Sequence, residues 1–168
     1  IFNGVILHVF KDTVALPNGN PATREVIRHV GAVGVIPITD DGKVIIERQF
    51  RYPLNSVITE IPAGKLDSFT EDRLSAAKRE LEEETGYRSD DLELLIRLKT
   101  AVAFCNEFID VYVARNLVPS KQNLDADESI DVEIWEVKDL LELIYSGKMT
   151  DSKTVAAVLA YAQQEGIR

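Results

Sequence analysis

Cysteine, long apolar runs and positive charge are all scarce in this sequence of 168 residues. Its single cysteine, Cys105, excludes a disulfide bond within the chain and is typical of a reducing compartment, so we expect a cytoplasmic location. No apolar run approaches the roughly 20 residues that a membrane-spanning helix needs. The first residues show no signal-peptide pattern. We therefore expect no association with a membrane.

The shortage of positive charge limits the polyanions that the chain can bind. Lys and Arg number 19 against 28 Asp and Glu, which gives a net charge of −9. Broad binding to nucleic acid or to an anionic membrane requires a basic surface, so we expect neither. A phosphorylated small molecule is compatible with this charge if a local basic patch or a bound cation offsets it.

The apolar residues, 45% of the chain, suffice for one domain that spans residues 1–168. Short strands are predicted at Val5–Val9, Thr13–Leu16 and Glu25–Val30, with a turn at Pro17–Asn20 because Asn-Gly accepts positive φ. Residues 1–30 should thus form an N-terminal antiparallel sheet.

Residues 31–168 alternate between apolar strands and helices, which indicates an α/β sandwich of mixed sheets. The predicted strands are Ala32–Ile38, Val44–Phe50, Ile58–Pro62, Leu92–Leu98, Phe108–Val113 and Val132–Glu136, and two of the predicted helices are Val137–Tyr145 and Asp151–Gln164.

The clearest predicted helix covers residues 68–85. Ser68 and Glu71 have the spacing of a capping box, and Gly86 supplies the stop. An apolar stripe at helical spacing predicts which side is buried; it consists of Leu74, Ala77 and Leu81.

Glu80, Glu83 and Glu84 project from one face of this helix because they stand at i, i+3 and i+4. Like charges at this spacing destabilise a helix by a few tenths of a kcal/mol per pair. Two interpretations remain open: a solvated acidic face, or a site for a divalent cation such as Mg²⁺, which prefers carboxylate oxygens.

Glu71 and the segment Arg79–Tyr87 resemble the Nudix box, G-x5-E-x7-R-E-U-x-E-E-x-G-U, where U is aliphatic or aromatic. The match is complete from Glu71 onward. Residues 65–70 separate Gly64 from Glu71, one residue more than in the pattern, and a loop tolerates such an insertion. The resemblance implies a Nudix α/β/α sandwich in which residues 31–168 form the catalytic core.

Further segments resemble the ADP-ribose pyrophosphatase branch of this family, although Val102 stands where that branch often carries proline. The resemblance implies hydrolysis of ADP-ribose to AMP and ribose 5-phosphate. Two alternatives stay open: another sugar nucleotide or dinucleoside polyphosphate as substrate, or a non-catalytic ligand-sensing module. The segments are Thr23–Val26, Gly31–Val33, Gln49–Arg51 and Glu60–Leu66.

For the metal site, the resemblance implies that Glu80, Glu84 and the Ala63 carbonyl bind Mg²⁺, with Mn²⁺ as a possible substitute. Glu83 either ligates the metal or orients water. Arg79 would hold a carboxylate in position. Gly64 either lets the backbone approach the metal or is an ordinary turn glycine, and Glu71 is either a capping or a catalytic residue.

The general base has two candidates. Glu128, in the acidic segment Asp125–Glu128, matches the loop on which this branch often carries its base, and Glu107 is the competing candidate.

On the substrate side, the resemblance implies that Arg51 contacts a phosphate and that Glu60 lies near the terminal ribose. Arg24 and Glu25 would approach the nucleoside part, often from a partner subunit. The expected partners are therefore a nucleotide-sugar substrate and a second copy of the chain, in a homodimer that the N-terminal sheet mediates.

Overall fold

The computed structural model describes residues 1–126 and 128–168. Three helices within these residues are α1 (Arg73–Thr85), α2 (Val137–Tyr145) and α3 (Ser152–Glu165). The strands are β1 (Phe2–Asn3), β2 (His8–Ala15), β3 (Pro21–Ile27), β4 (Ala32–Pro37), β5 (Val44–Arg51), β6 (Ser56–Glu60), β7 (Ala63–Lys65), β8 (Tyr87–Arg88), β9 (Asp91–Lys99), β10 (Phe108–Arg115), β11 (Val118–Pro119) and β12 (Ile130–Trp135).

The central sheet has the order β7-β4-β10-β9, with β4 and β10 parallel and the other two pairs antiparallel. All six residues of β4 are buried. A continuous apolar strand of this kind needs cover on both faces of its sheet. A second sheet, β12-β5-β6, is antiparallel throughout.

The two faces of the central sheet pack against different helices. Val33 and Val35 lie in one apolar cluster with Leu81 of α1. Ile36, which follows Val35 and points to the opposite face of the strand, lies in another cluster with Leu140 of α2 and with residues of α3. The helices therefore enclose the sheet from both sides, and the predicted α/β/α sandwich with mixed sheets is confirmed.

The N-terminal sheet, β1-β2-β3, is antiparallel as predicted, but its strands differ. The predicted strands Val5–Val9 and Thr13–Leu16 are replaced by one continuous strand, His8–Ala15. Every residue of β2 and β3 is half-buried or exposed, so polar residues in the middle of β2 do not interrupt it. Apolar alternation is a weak guide to the ends of strands that have little core to cover.

Helix α1 begins later than predicted, and the capping box is wrong. Asp72 is the N-cap, and its carboxylate accepts a hydrogen bond from the Ser75 N–H at 2.9 Å. Ser68 instead accepts from the Thr70 N–H. Gly86 ends the helix with a φ of 72°, as predicted. Of the predicted apolar stripe, Ala77 and Leu81 are buried, whereas Leu74 is 38% exposed.

Within the described residues, no helix is long and apolar enough to cross a membrane.

Candidate active site

The acidic face of α1 lies against the start of β7, just after the turn that joins β6 to β7. The Glu84 carboxylate accepts a hydrogen bond from the Ala63 N–H at 2.8 Å. A Cβ atom on Gly64 would overlap the carboxylate of Glu80. Only glycine therefore permits this approach of strand backbone to helix side chain. The structure thus brings Ala63, Glu80 and Glu84 close together.

Arg79 binds three carboxylates on the same helix and its entry loop. Its guanidinium donates to Glu80 at 2.7 Å, to Glu83 at 3.1 Å and to Glu71 at 3.3 Å. Glu71 also accepts a hydrogen bond from the Asp67 N–H at 2.5 Å. Glu71 is therefore not the helix cap but a residue that orients Arg79, while Arg79 holds Glu80 and Glu83 in place.

Burial raises the pKa of two carboxyl groups on α1, those of Glu80 and Glu84. It raises the pKa of Glu80 to about 7, although the Arg79 guanidinium opposes the shift. Burial, reinforced by the charge of Glu80, raises the pKa of Glu84 to about 8 in spite of the hydrogen bond from Ala63. The acidic groups at this site thus outnumber the basic groups that could neutralise them. A bound divalent cation would supply the missing positive charge.

A third buried carboxylate, Glu47 on β5, was missed by the sequence analysis. It is 2% exposed, and burial together with the charges of Glu84 and Glu60 raises its pKa to about 9. Its Oε1 atom finds no hydrogen-bond partner among residues 1–126 and 128–168. The available signal was an acidic residue that directly follows the buried run Val44–Ile46.

Glu60 is also buried, but its charge is compensated. Arg51 donates to it twice, at 2.6 and 3.0 Å, and the Lys153 ammonium donates to it as well. Lys153 lies in the first turn of α3, and its neighbour Thr154 accepts from the Ile61 N–H at 2.9 Å. The start of α3 therefore anchors the segment that leads into the acidic site, a role that the sequence analysis did not assign.

The two candidates for the general base differ in their surroundings. The charge of Glu128 raises the pKa of three buried carboxylates, which are Glu47, Glu80 and Glu84. Glu128 therefore lies near the acidic site. Glu107 accepts a hydrogen bond from Thr100 at 2.5 Å and lies 3.5 Å from His29. Asp127, in the same acidic segment as Glu128, is outside the described residues.

A cavity of about 330 Å³ opens beside the acidic site. Its lining is polar and of mixed charge, with Lys65 and Lys153 beside Glu107 and Asp151, so it suits a polar ligand. A larger cavity, of about 630 Å³, lies between α2 and α3, away from the acidic face of α1, and so we do not associate it with the site. Lining residues of the smaller cavity include His29, Ala63, Gly64, Lys65, Thr100, Glu107 and Lys153.

Arg24 and Glu25 are not part of this assembly within one chain. Both lie exposed on β3, where Arg24 pairs in register with Asp12 of β2. Their predicted contact with a substrate would require a second subunit.

The donors at the site fit Mg²⁺ or Mn²⁺. In the described residues, no three acidic, histidine or cysteine side chains converge tightly enough to hold a metal alone. Mg²⁺ does not need such a cage, because it binds through one or two carboxylates and keeps several water molecules. Glu80, Glu84 and the Ala63 carbonyl offer only oxygen atoms, and the unpartnered oxygen of Glu47 lies among the same charges.

Comparisons with known proteins agree with this geometry. The sequence model of the NUDIX domain matches residues 28–158. The "Methanol dehydrogenase activator" of Bacillus methanolicus is 43% identical, and the match covers 100% of this chain and 91% of that protein. The "ADP-ribose pyrophosphatase" of Bacillus subtilis is 39% identical, with the same coverage. A similarly named protein of Mycobacterium tuberculosis is 31% identical, over 95% of this chain and 78% of that protein.

The fold has a solved counterpart as well. The crystal structure of an ADP compounds hydrolase superposes with a TM-score of 0.86 and 24% identity, over 99% of this chain and 91% of that one. The domain match and the full-length relatives together show that the chain belongs to the Nudix family of hydrolases.

Proposed function

We propose that this Nudix hydrolase cleaves the pyrophosphate bond of ADP-ribose with Mg²⁺ or Mn²⁺ and releases AMP and ribose 5-phosphate. The observation that carries the proposal is the buried acidic face of α1, closed against Ala63 and Gly64 beside a polar cavity. The names of the relatives that are 39% and 31% identical support ADP-ribose as the substrate.

In this proposal, Glu80, Glu84 and the Ala63 carbonyl hold the metal. When bound, the ion would neutralise phosphate charge and lower the pKa of a coordinated water molecule. Arg79 fixes the position of Glu80 and of Glu83, which ligates the metal or orients the water. Glu128 accepts the proton of the attacking water, because it lies near the buried carboxylates, and Glu107 is the alternative.

Arg51 is the proposed phosphate ligand on the substrate side. Its side chain is 41% exposed, so part of the guanidinium can reach a ligand while Glu60 holds the rest. A guanidinium matches phosphate oxygens with two parallel hydrogen bonds. Glu60, expected near the terminal ribose, is 3% exposed and engaged by Arg51 and Lys153. We therefore give Glu60 an indirect role, in which it positions Arg51.

We further propose a homodimer in which residues 1–30 form the contact with the second subunit and residues 31–168 form the catalytic core. Phe2, Val5 and Ile6 are 59%, 96% and 61% exposed, an arrangement that costs free energy unless another surface covers it. Arg24 and Glu25 on the same sheet would then reach the nucleoside in the partner's site.

Light scattering should therefore give twice the mass of one chain, and the double substitution Val5→Asp with Ile6→Asp should give a monomer, because charge opposes apolar burial. The substitution Val118→Asp, at an apolar residue 47% exposed outside the N-terminal sheet, is the control and should leave the dimer intact. A monomeric parent protein would refute the dimer.

The substrate is tested with ADP-ribose and Mg²⁺, followed by chromatography of the products. We expect AMP and ribose 5-phosphate in equal amounts, and no release with excess EDTA, since the phosphate charge would then lack its cation. Sugar nucleotides and dinucleoside polyphosphates are assayed in parallel. Faster cleavage of one of these would replace ADP-ribose as the substrate, and no cleavage of any would indicate the ligand-sensing alternative.

A further inference from the structure

The Glu47 carboxyl is a buried ionisable group that the proposed mechanism has not used. The side chain is 2% exposed and its Oε1 atom lacks a hydrogen-bond partner in the described part of the chain. Glu60 stands directly opposite on β6, equally buried, yet Arg51 and Lys153 both bind it. The strand pair therefore carries two buried carboxylates, of which one is satisfied and the other is not.

The position of Glu47 on β5 directs it toward the acidic site. Side chains alternate along a strand, so Glu47 lies on the same face as Gln49 and Arg51. Among the charges that act on Glu47, that of Glu84 is the strongest, followed by those of Glu60 and Lys153. The buried Glu47 carboxyl therefore lies beside Glu60 on the strand pair, near enough to Glu84, a proposed metal ligand, for the two groups to interact electrostatically.

An uncompensated buried carboxylate is unfavourable for folding, and the three residues before Glu47 on β5, Val44, Ile45 and Ile46, are all buried and apolar. A cation site changes that balance, because water molecules on a bound Mg²⁺ donate hydrogen bonds to nearby carboxylates. Glu47 does not need to coordinate the ion directly for this, and no group of three acidic, histidine or cysteine side chains in the described residues forms a direct metal cage.

We propose that Glu47 belongs to the cation site, where its free oxygen accepts hydrogen bonds from metal-bound water beside Glu84 and strengthens divalent-cation binding. This inference rests on the proposed metal dependence and extends it to a strand outside the Nudix box. The ion is thereby held from two sides, by α1 and by β5.

The test is calorimetric titration of the metal-free protein with Mn²⁺, without substrate, for the parent chain and for Glu47→Gln. Glutamine keeps the size of the side chain and removes its charge, so we expect Mn²⁺ to bind about 10- to 100-fold more weakly. Glu82→Gln is the matched control. It removes a charge from α1 at a residue that bonds Ser120, and it should leave Mn²⁺ binding within about twofold of the parent value.

The outcomes separate this inference from the proposed function. Parental Mn²⁺ affinity in a folded Glu47→Gln protein would overturn the role of Glu47 and leave the metal-dependent hydrolase standing. A parent chain that binds no Mn²⁺ would overturn both. If circular dichroism shows that Glu47→Gln does not fold, Glu47→Asp is the second variant. Aspartate keeps the charge but is one methylene shorter, so its oxygens lie farther from the site. Weaker Mn²⁺ binding then supports the role of Glu47, and parental affinity refutes it.

Discussion

Glu84→Gln is expected to lower kcat for ADP-ribose by about 10²- to 10⁴-fold, since a metal ligand supplies several kcal/mol of transition-state stabilisation. The amide oxygen of glutamine can still accept the hydrogen bond from the Ala63 N–H, so the turn should keep its place on the helix. The loss therefore reports the missing charge rather than a collapsed site. Steady-state kinetics at saturating Mg²⁺ measures it.

The same substitution should stabilise the protein when metal is absent. The Glu84 pKa is raised from 4.5 to about 8 in the folded chain. As the pH rises, the Glu84 carboxyl therefore ionises in the unfolded chain before it ionises in the folded one. The contribution of Glu84 to the stability of the metal-free protein is therefore complete below about pH 4.5 and is lost as the pH rises through about 8. Glu84→Gln removes this decline. In EDTA, its Tm should exceed the parental Tm at pH 8 and differ least near pH 4.5.

Glu82→Gln is the control for both measurements, because it changes a charge on the same helix without touching the turn at Ala63. Its kcat should stay within about threefold of the parental value, because Glu82 is half-exposed and takes no part in the proposed metal site. A Glu84→Gln enzyme with parental kcat, or one with lower Tm in EDTA at pH 8, would show that Glu84 is not a buried metal ligand.

The parts of the site that lie within one helix could be predicted from the sequence, because helical geometry alone determines them. The spacing of Glu80, Glu83 and Glu84 places them on one face whatever the rest of the chain does. The resemblance then identified Ala63 and Gly64, far from α1 along the chain, and the structure shows both against that face.

Glu47 and Lys153 could not be predicted in the same way, since their surroundings form only when strands pair. Glu47 lies opposite Glu60 because of the register of β5 with β6. Lys153 of α3 contacts Glu60 of β6 although the two residues are 93 positions apart in the sequence. No local pattern specifies either contact. The wrong helix cap has a related cause. Ser68 and Asp72 can both accept a hydrogen bond at the start of a helix, and the sequence does not show which of them lies next to the first free N–H groups of α1.

The choice of general base has the second largest expected effect. Glu128→Gln should lower kcat by about 10²- to 10⁴-fold, the usual contribution of a positioned base, because glutamine cannot take a proton from water. Glu107→Gln should lower it by less than about tenfold, since Glu107 is engaged by Thr100 and lies near His29 at the edge of the cavity. Both variants are compared with the parent chain under saturating ADP-ribose and Mg²⁺.

Metal binding distinguishes a base from a ligand. Mn²⁺ affinity in Glu128→Gln should stay within a few-fold of the parental value, whereas Glu84→Gln should lose most of it, because only Glu84 is proposed to contact the ion. The reverse kinetic order, with Glu107→Gln the more damaging substitution, would move the base to the cavity that His29 and Lys153 line. The attacking water would then approach the phosphorus from that cavity, and Glu128 would contribute to the site only through its charge on the buried carboxylates.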